Sequence, residues 1–92
     1  MALSFEWNET KASSSFKKHG VSFEEATTVF GDTLSFTISD PLHSVEEDRF
    51  IIIGHSYRNR LVVVVHTERG DKIRIISARL ATKGERNFYE RK

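Results

Sequence analysis

The chain has 92 residues, of which 38% are apolar and 29% are charged. This composition excludes a disordered chain, and the length suits a single domain over residues 1–92. Because there is no cysteine, neither a disulfide framework nor a thiolate metal site can hold the fold together. The apolar runs are too short to span a bilayer and the N-terminus has no signal-peptide pattern, so we expect a soluble, cytoplasmic protein without a membrane partner.

The net charge of +1 hides an uneven distribution along the chain. Residues 1–48 contain three basic and nine acidic side chains, a balance of −6, whereas residues 49–92 contain eleven basic and four acidic ones, a balance of +7. Such an asymmetry indicates a polyanionic or an acidic partner. An evenly solvated sheet surface in the basic half would explain the same distribution.

The first half of the chain predicts a short edge strand and two helices. Phe5–Trp7 alternates between apolar and polar residues, which is typical of a strand. Asn8 is a good N-cap for a first helix, and Gly20 is placed to end that helix in the left-handed conformation. Ser22 and Glu25 then form a capping box, which predicts the start of a second helix.

The second half predicts four strands and a last helix. Alternating or β-branched runs place the strands over residues 34–39, 49–57, 61–65 and 73–80. Gly70 lies in a polar turn between the last two, which therefore form a β-hairpin at the centre of the sheet. Thr82 and Glu85 form a second capping box. The order is β-α-α-β-β-β-β-α, an α+β domain with a mainly antiparallel sheet against a helical pair, plus a C-terminal helix.

The last strand carries two arginines among apolar neighbours. A period of two places Ser77 and Arg79 on one face of the sheet and Arg74 on the other. Each arginine could form an internal salt bridge or lie over the core with its head in water. Alternatively it could bind phosphate on an open sheet face, because a guanidinium group is a flat fork of donors.

Three segments carry a family resemblance: FEWNETK, KKHGVSFEEATTVFGD and EEDRFIIIGHSYRNRLVVVVHTERGDKIRIISARLATKGERNFY. Together they cover nearly the whole chain, and KHGVSFEEA with RIISAR-A----ER is their specific part. They resemble the BrnT family of bacterial toxins, within the RelE/ParE-like superfamily of toxin–antitoxin systems. The resemblance implies a RelE-like fold and a metal-independent endoribonuclease that cleaves RNA by 2′-hydroxyl attack and inhibits translation, without a cofactor.

The resemblance also implies a protein partner. This is a tightly bound, BrnA-like antitoxin with a ribbon-helix-helix part, through which the pair contacts operator DNA and represses its own operon. Two positions depart from the family pattern: Asn8 stands where Asp is usual, and Ser15 where Asn usually precedes K-H-G. The departures favour an alternative, a binding module without chemistry that captures the antitoxin and acts only in repression.

Cleavage of RNA without a metal needs a base, an acid and a cation that stabilises the phosphorane. We predict that Arg74 and Arg79 hold the phosphate, because a rigid strand positions them better than a loop. Lys18 is a further candidate for the phosphate, His19 for proton shuttling, and Glu68 for accepting the proton. Structural explanations stay open, since the helix macrodipole favours cations at Lys18 and His19, and charge on a turn is common at Glu68.

Three further residues are predicted to bind RNA. Arg69 adds a cation at the hairpin turn, Ser77 could donate a hydrogen bond, and Trp7 could stack on a base. Ser77 could equally fill a packed face, and Trp7 could belong to the core. No metal site is predicted, because the spacing of the four histidines matches no metal-binding motif: His19, His43, His55 and His66.

Overall fold

The computed structural model describes residues 3–40 and 47–91. It has a five-stranded sheet in the order β1-β5-β4-β3-β2, formed by β1 (Ser4–Glu6), β2 (Phe36–Ser39), β3 (Arg49–His55), β4 (Leu61–Arg69) and β5 (Lys72–Leu80). Of the strand pairs in these two described ranges, β1–β5 is parallel and the others are antiparallel. The helices are α1 (Glu9–His19), α2 (Phe23–Thr28), which continues as a 3-10 turn (Val29–Gly31), and α3 (Lys83–Arg91). No helix in the two described ranges is long and apolar enough to cross a membrane.

Each predicted strand and helix has a counterpart, and the predicted capping signals explain where the helices begin and end. The Asn8 side chain caps α1 by accepting a backbone hydrogen bond, and Gly20 ends this helix at a φ of 75°. Ser22 caps α2 in the same way. Glu85 accepts from the Thr82 backbone N–H at 2.8 Å and donates its own N–H to the Thr82 hydroxyl at 3.2 Å, which completes the predicted capping box of α3.

The predicted hairpin of β4 and β5 lies at the centre of the sheet, and Gly70 supplies its positive φ of 61°. Strand β4 is buried on both sides. On one side, which we call the helical face, Val62 and Val64 pack against α2. On the other side, Val63 packs against Tyr89 of α3. We call this second side the open face, because α3 covers only one end of it.

One residue of β5, Ile76, has no partner on β4, because two successive residues of β4 pair with Ser77 and Ile75. Such a β-bulge shifts the alternation of side chains by one position. Arg74 and Arg79 therefore lie on the same side of the sheet, the open face. The prediction that they face opposite ways was wrong, because a strict period of two leaves no place for an unpaired residue.

A buried ion pair fastens the helices to the turn between β3 and β4. Glu25 is only 3% exposed and accepts hydrogen bonds from Arg60 Nε at 3.0 Å, from Arg60 Nη2, and from the Ser56 hydroxyl at 2.7 Å. The hydrogen bonds from Arg60 lower the pKa of Glu25 although burial opposes this shift. Arg60 Nη2 also donates to the Gly20 carbonyl at 3.1 Å, so one arginine joins both helices to the sheet.

Candidate functional site

The bulge aligns Arg74, Ser77 and Arg79 along β5 on the open face. All three are partly exposed. At a rise of about 3.3 Å per residue, the two arginines are roughly 15 Å apart along the strand. They are therefore spaced to contact successive parts of one extended polyanion rather than a single phosphate.

Arg79 is held by a carboxylate from α3. Its Nη1 and Nη2 donate to Glu85 Oε1 and Oε2 at 2.7 and 2.8 Å, a bidentate pair. The hydrogen bonds from Arg79 lower the pKa of Glu85 to about 2, and those to Glu85 raise the pKa of Arg79. The side chains are 39% and 27% exposed, so water and ligands can still reach the pair. The capping box of α3 thus also fixes the orientation of the guanidinium group.

The pair leaves part of the Arg79 guanidinium group available. A guanidinium group has five N–H donors, and Arg79 uses three of them, two to Glu85 and one from Nη1 to the Leu80 carbonyl at 3.3 Å. The Nε–H and the second hydrogen of Nη2 have no partner among the described residues. These two donors lie on one edge of the group, which can receive a phosphate while Glu85 holds the other edge.

Arg74 is less constrained. Its Nη1 donates to Glu6 Oε2 of the neighbouring strand β1 at 3.3 Å, and both side chains are partly exposed. Since Glu6 and Arg74 are direct partners in the β1–β5 register, the sheet itself places them side by side. One hydrogen bond leaves most of the donors of Arg74 for another ligand.

Further cations extend the same face. Arg49 of β3 and Arg74 of β5 both pair with Thr67 of β4, so the three residues form one row across the sheet. Glu47 lies 3.7 Å from both Arg49 and Arg69, and one carboxylate thus serves two arginines. The open face therefore carries an excess of positive charge. The basic residues responsible for the charge asymmetry of the sequence are partly concentrated there.

A groove of about 330 Å³ runs between α3 and the open face. Four apolar side chains form its floor: Phe36, Ile38, Ile51 and Ile53. Gly84, Glu85 and Phe88 contribute from α3, and Arg79 also lines the groove. We call it the α3 groove. It places an apolar surface directly beside a guanidinium group.

Three of the predicted site residues lie on the other side of the sheet. Lys18 and His19 are exposed in the last turn of α1, which packs over β5 from the helical face. Trp7 packs against the core of that face, with its ring 6.0 Å from that of Phe23 in an edge-to-face contact. In the described ranges, no hydrogen bond or ion pair joins these residues to Arg74 or Arg79.

Glu68 is a fourth such residue: it lies exposed at the end of β4, two residues after His66, and therefore on the helical face, opposite Arg74 and Arg79. The nearby His66 is buried between Phe30 and Phe50, whose ring centroids lie 4.9 and 5.7 Å from its own. Burial lowers the pKa of His66 to about 4, so the ring is neutral at pH 7. His66 is a core residue of the helical face.

The structure also contains a polar cluster that the sequence reasoning missed. The Tyr89 hydroxyl donates to Asp32 Oδ2 at 2.7 Å and lies 3.2 Å from His55 Nδ1. Burial, together with the bond to Asp32, raises the pKa of Tyr89 to about 12. The cluster anchors the C-terminal half of α3. The one signal of this cluster in the sequence is the alternation of β3, which places His55 on the open face, where Tyr89 of α3 also packs.

No group of three or more histidine, aspartate or glutamate side chains within residues 3–40 and 47–91 is arranged to hold a metal ion. His43, one of the four histidines considered for a metal site, lies outside the described residues, and metal independence stays a prediction. The missed carboxylates Glu6 and Glu85 are both partners of the predicted arginines. Glu85 was recognised only as a helix cap, and Glu6 only as the polar residue of a short strand.

Comparisons with known proteins agree with this fold. Among solved structures, a crystal structure of the Brucella abortus ribonuclease toxin BrnT is similar, with a TM-score of 0.66 over 89% of this chain and 100% of that chain. The two sequences are 21% identical, so this likeness concerns the fold. No curated protein matches the chain. The family described as the ribonuclease toxin BrnT of type II toxin–antitoxin systems matches residues 7–85. This match covers most of the sequence, and the chain therefore belongs to the BrnT family of ribonuclease toxins.

Proposed function

We propose that this chain is a metal-independent endoribonuclease whose RNA substrate lies across the open face of the sheet. It acts in the bacterial cytoplasm as a RelE-like toxin and inhibits translation. The observation that carries the proposal is the position of Arg74 and Arg79, which the bulge at Ile76 brings onto one exposed face. Ser77 lies between them with its hydroxyl available to a phosphate oxygen.

The two arginines supply the electrostatic part of the reaction. Attack of the 2′-hydroxyl on the neighbouring phosphorus gives a phosphorane with additional negative charge, and guanidinium groups stabilise that charge. Its collapse to a 2′,3′-cyclic phosphate breaks the bond to the 5′-oxygen, which takes a proton from solvent water on this exposed face. Arg79 is already oriented by Glu85, so little side-chain entropy is lost when its remaining edge binds phosphate. Arg74 contacts the phosphate that is attacked, which lies beside Glu6, and Arg79 holds a more distant phosphate of the same RNA and sets its direction along β5.

Proton transfer on this face falls to carboxylates rather than to Lys18 or His19. Glu85, with a pKa of about 2, is a weak base while Arg79 holds it. Glu6, which contacts Arg74 through a single hydrogen bond, is the better candidate for taking the proton of the 2′-hydroxyl. Exchange of Glu6 for Gln then lowers the cleavage rate and leaves RNA affinity nearly unchanged.

The partner in this proposal is a BrnA-like antitoxin with a ribbon-helix-helix part. It silences the nuclease and carries the pair to operator DNA, which this chain contacts only indirectly. Type II systems pair a toxin with a protein antitoxin, and the excess of positive charge on the open face favours a partner segment that is acidic.

The test is induction of the chain in bacteria, alone and together with the small protein encoded beside it. We expect growth arrest that the neighbour relieves, with new RNA ends detected by sequencing. The double exchange of Arg74 and Arg79 for Ala abolishes the arrest and the new ends. The matched control exchanges Lys11 and Lys17, two exposed cations of α1, for Ala, and stays toxic.

Purified protein separates the remaining possibilities. Cleavage that continues in excess EDTA supports a reaction without a metal, and cleavage that stops contradicts it. A folded Arg74/Arg79 double variant that still cuts RNA removes both arginines from the mechanism. A wild-type chain that is harmless and cuts nothing, while it still binds the antitoxin, establishes the binding module instead.

A further inference from the structure

We infer that the α3 groove is a nucleobase subsite, which binds the flat face of one base of single-stranded RNA beside the phosphate held by Arg79. This inference rests on the proposed function and adds where the substrate base lies and which side chains contact it. The groove and the arginine are continuous, because Arg79 is itself one of the residues that line the groove.

The aromatic pair at the mouth of the groove is the first argument. Phe88 projects from α3 with 60% of its surface exposed, so most of its ring is accessible to a ligand. Its ring centroid lies 5.1 Å from that of Phe36 on the groove floor, which keeps the ring in place. An aromatic ring that is exposed and yet fixed is the platform on which single-stranded nucleic acids stack their bases.

The chemistry of the lining is the second argument. Ile38, Ile51 and Ile53 offer only apolar contact, and Ile38 is 49% exposed at the edge strand. The polar groups of the lining converge at one end, where Arg79 and Glu85 meet. A nucleotide has the same division, since its base has apolar faces and its phosphate is charged.

The size of the groove favours a base over a segment of the antitoxin. A volume of about 330 Å³ falls at the lower end of small-molecule sites, which start at roughly 300 Å³. A stable protein interface needs about 800 Å² from each partner, far more than this short groove supplies. Gly84 lines the groove without a side chain, and a Cβ added there would come within 4.0 Å of Thr82 alone among the described residues.

The orientation of Arg79 connects the position of the phosphate to the position of the base. Glu85 occupies the Nη1–Nη2 edge of the guanidinium group, and this fixes where the Nε edge lies. A phosphate on that edge is held beside the groove, and the base attached to the same nucleotide reaches the apolar floor. Recognition of this kind depends on stacking and not on base identity, so little sequence preference is expected from the groove itself.

The test measures binding of a fluorescent single-stranded RNA whose 2′-hydroxyl groups are methylated, so that it cannot be cleaved. Exchange of Phe88 for Leu keeps the apolar contact with Phe36 but removes the stacking surface. We expect a loss of affinity of about fivefold or more, the equivalent of one stacked base. Exchange of Phe88 for Tyr restores affinity to within about twofold of wild type, since the ring is retained.

The matched control exchanges Phe16 for Leu. This phenylalanine is also exposed, at 51%, but lies on α1 across the helical face, so its exchange leaves RNA affinity unchanged. Circular dichroism and thermal melting confirm that all three variants are folded. An RNA in which single nucleotides lack their base provides a second readout, because one abasic position should reproduce the loss caused by Phe88→Leu, and the two losses should not add.

Three outcomes overturn the inference. If Phe88→Leu binds RNA like wild type while Arg74→Ala/Arg79→Ala does not, the base subsite falls and the proposed nuclease stands. If Phe88→Leu weakens antitoxin binding but not RNA binding, the groove belongs to the protein partner. If wild type neither binds nor cuts RNA, the proposed function falls and the subsite falls with it.

Discussion

Two arginine–glutamate pairs of this molecule differ in what surrounds them, and the difference separates structure from function. In the Glu25–Arg60 pair the carboxylate is 3% exposed and also accepts a hydrogen bond from Ser56. Arg60 divides its donors between Glu25 and the Gly20 carbonyl, so the pair closes a junction between helices and sheet. In the Arg79–Glu85 pair both side chains remain accessible, and one edge of the guanidinium group is unused.

A salt bridge is therefore compatible with either role, and a paired arginine is not by itself a structural one. The useful criterion is how many donors remain and whether solvent reaches them. By this criterion the Glu25–Arg60 pair is structural, because its carboxylate is buried and Arg60 is bonded to both helices. Arg79 on the open face is oriented by Glu85 and still has donors that can bind a ligand. Substitutions at Glu25, His66 and Arg79, in order of decreasing expected loss of stability, test this difference.

The largest effect is expected at the buried pair. Exchange of Glu25 for Gln removes the charge that compensates Arg60 and leaves that cation partly buried, which costs about 3 kcal/mol of the free energy of unfolding. Urea denaturation measures the change. The control is Glu24→Gln, an exposed neighbour in the same helix, whose effect should stay within about 0.5 kcal/mol. Equal effects of the two exchanges would show that the buried pair stabilises nothing.

The next effect concerns His66 on the helical face. Its folded-state pKa of about 4 lies below the ordinary value of 6.5, so protons bind the unfolded chain more strongly. Stability that is present above pH 6.5 is therefore lost as the pH falls towards 4, by about 3 kcal/mol in total. Denaturation between pH 7 and pH 4.5 measures this slope.

The paired variant for this prediction is His66→Phe, which suits a site between Phe30 and Phe50 and has no group to titrate. It should lose most of the slope between pH 6.5 and 5, where carboxylates with lowered pKa values, such as Glu85, contribute little because they are still largely ionised in the unfolded chain. The same slope in wild type and variant would mean that His66 is not the group responsible.

The smallest effect on stability is expected at the open face. Exchange of Arg79 for Ala breaks a pair that is more than one-third exposed on the arginine side, and it should cost less than about 1 kcal/mol. The same variant loses RNA cleavage, which an activity assay on the folded protein detects. If its stability fell as far as that of Glu25→Gln, Arg79 would be structural, and the contrast between the two pairs would disappear.

Much of the fold followed from local chemistry in the sequence. Asn8, Ser22 and Gly70 act where they stand, because helix caps and turns depend on near neighbours and on backbone conformation. The bulge at Ile76 could not be predicted, since RIISAR contains no glycine or other local mark of a bulge. It arises from the register with β4, and it decided which side of the sheet Arg74 occupies.

The candidate site was predictable in part for the same reason. The arginines of β5 could be named from their composition and spacing, but their partners Glu6 and Glu85 come from other elements of the fold. Lys18 and His19 were chosen for their chemistry, and the tertiary structure put them across the helical face. Phe88 gave no signal, because a single aromatic residue in a terminal helix is as typical of packing as of binding.

The parallel pairing of β1 with β5 has a consequence for synthesis of the chain. Ser4 aligns with Lys72, so β1 has no hydrogen-bonding partner in the sheet until β5 has been translated. Glu6 reaches Arg74 only at that late stage. A nascent chain therefore lacks its finished arginine surface until β5 has left the ribosome.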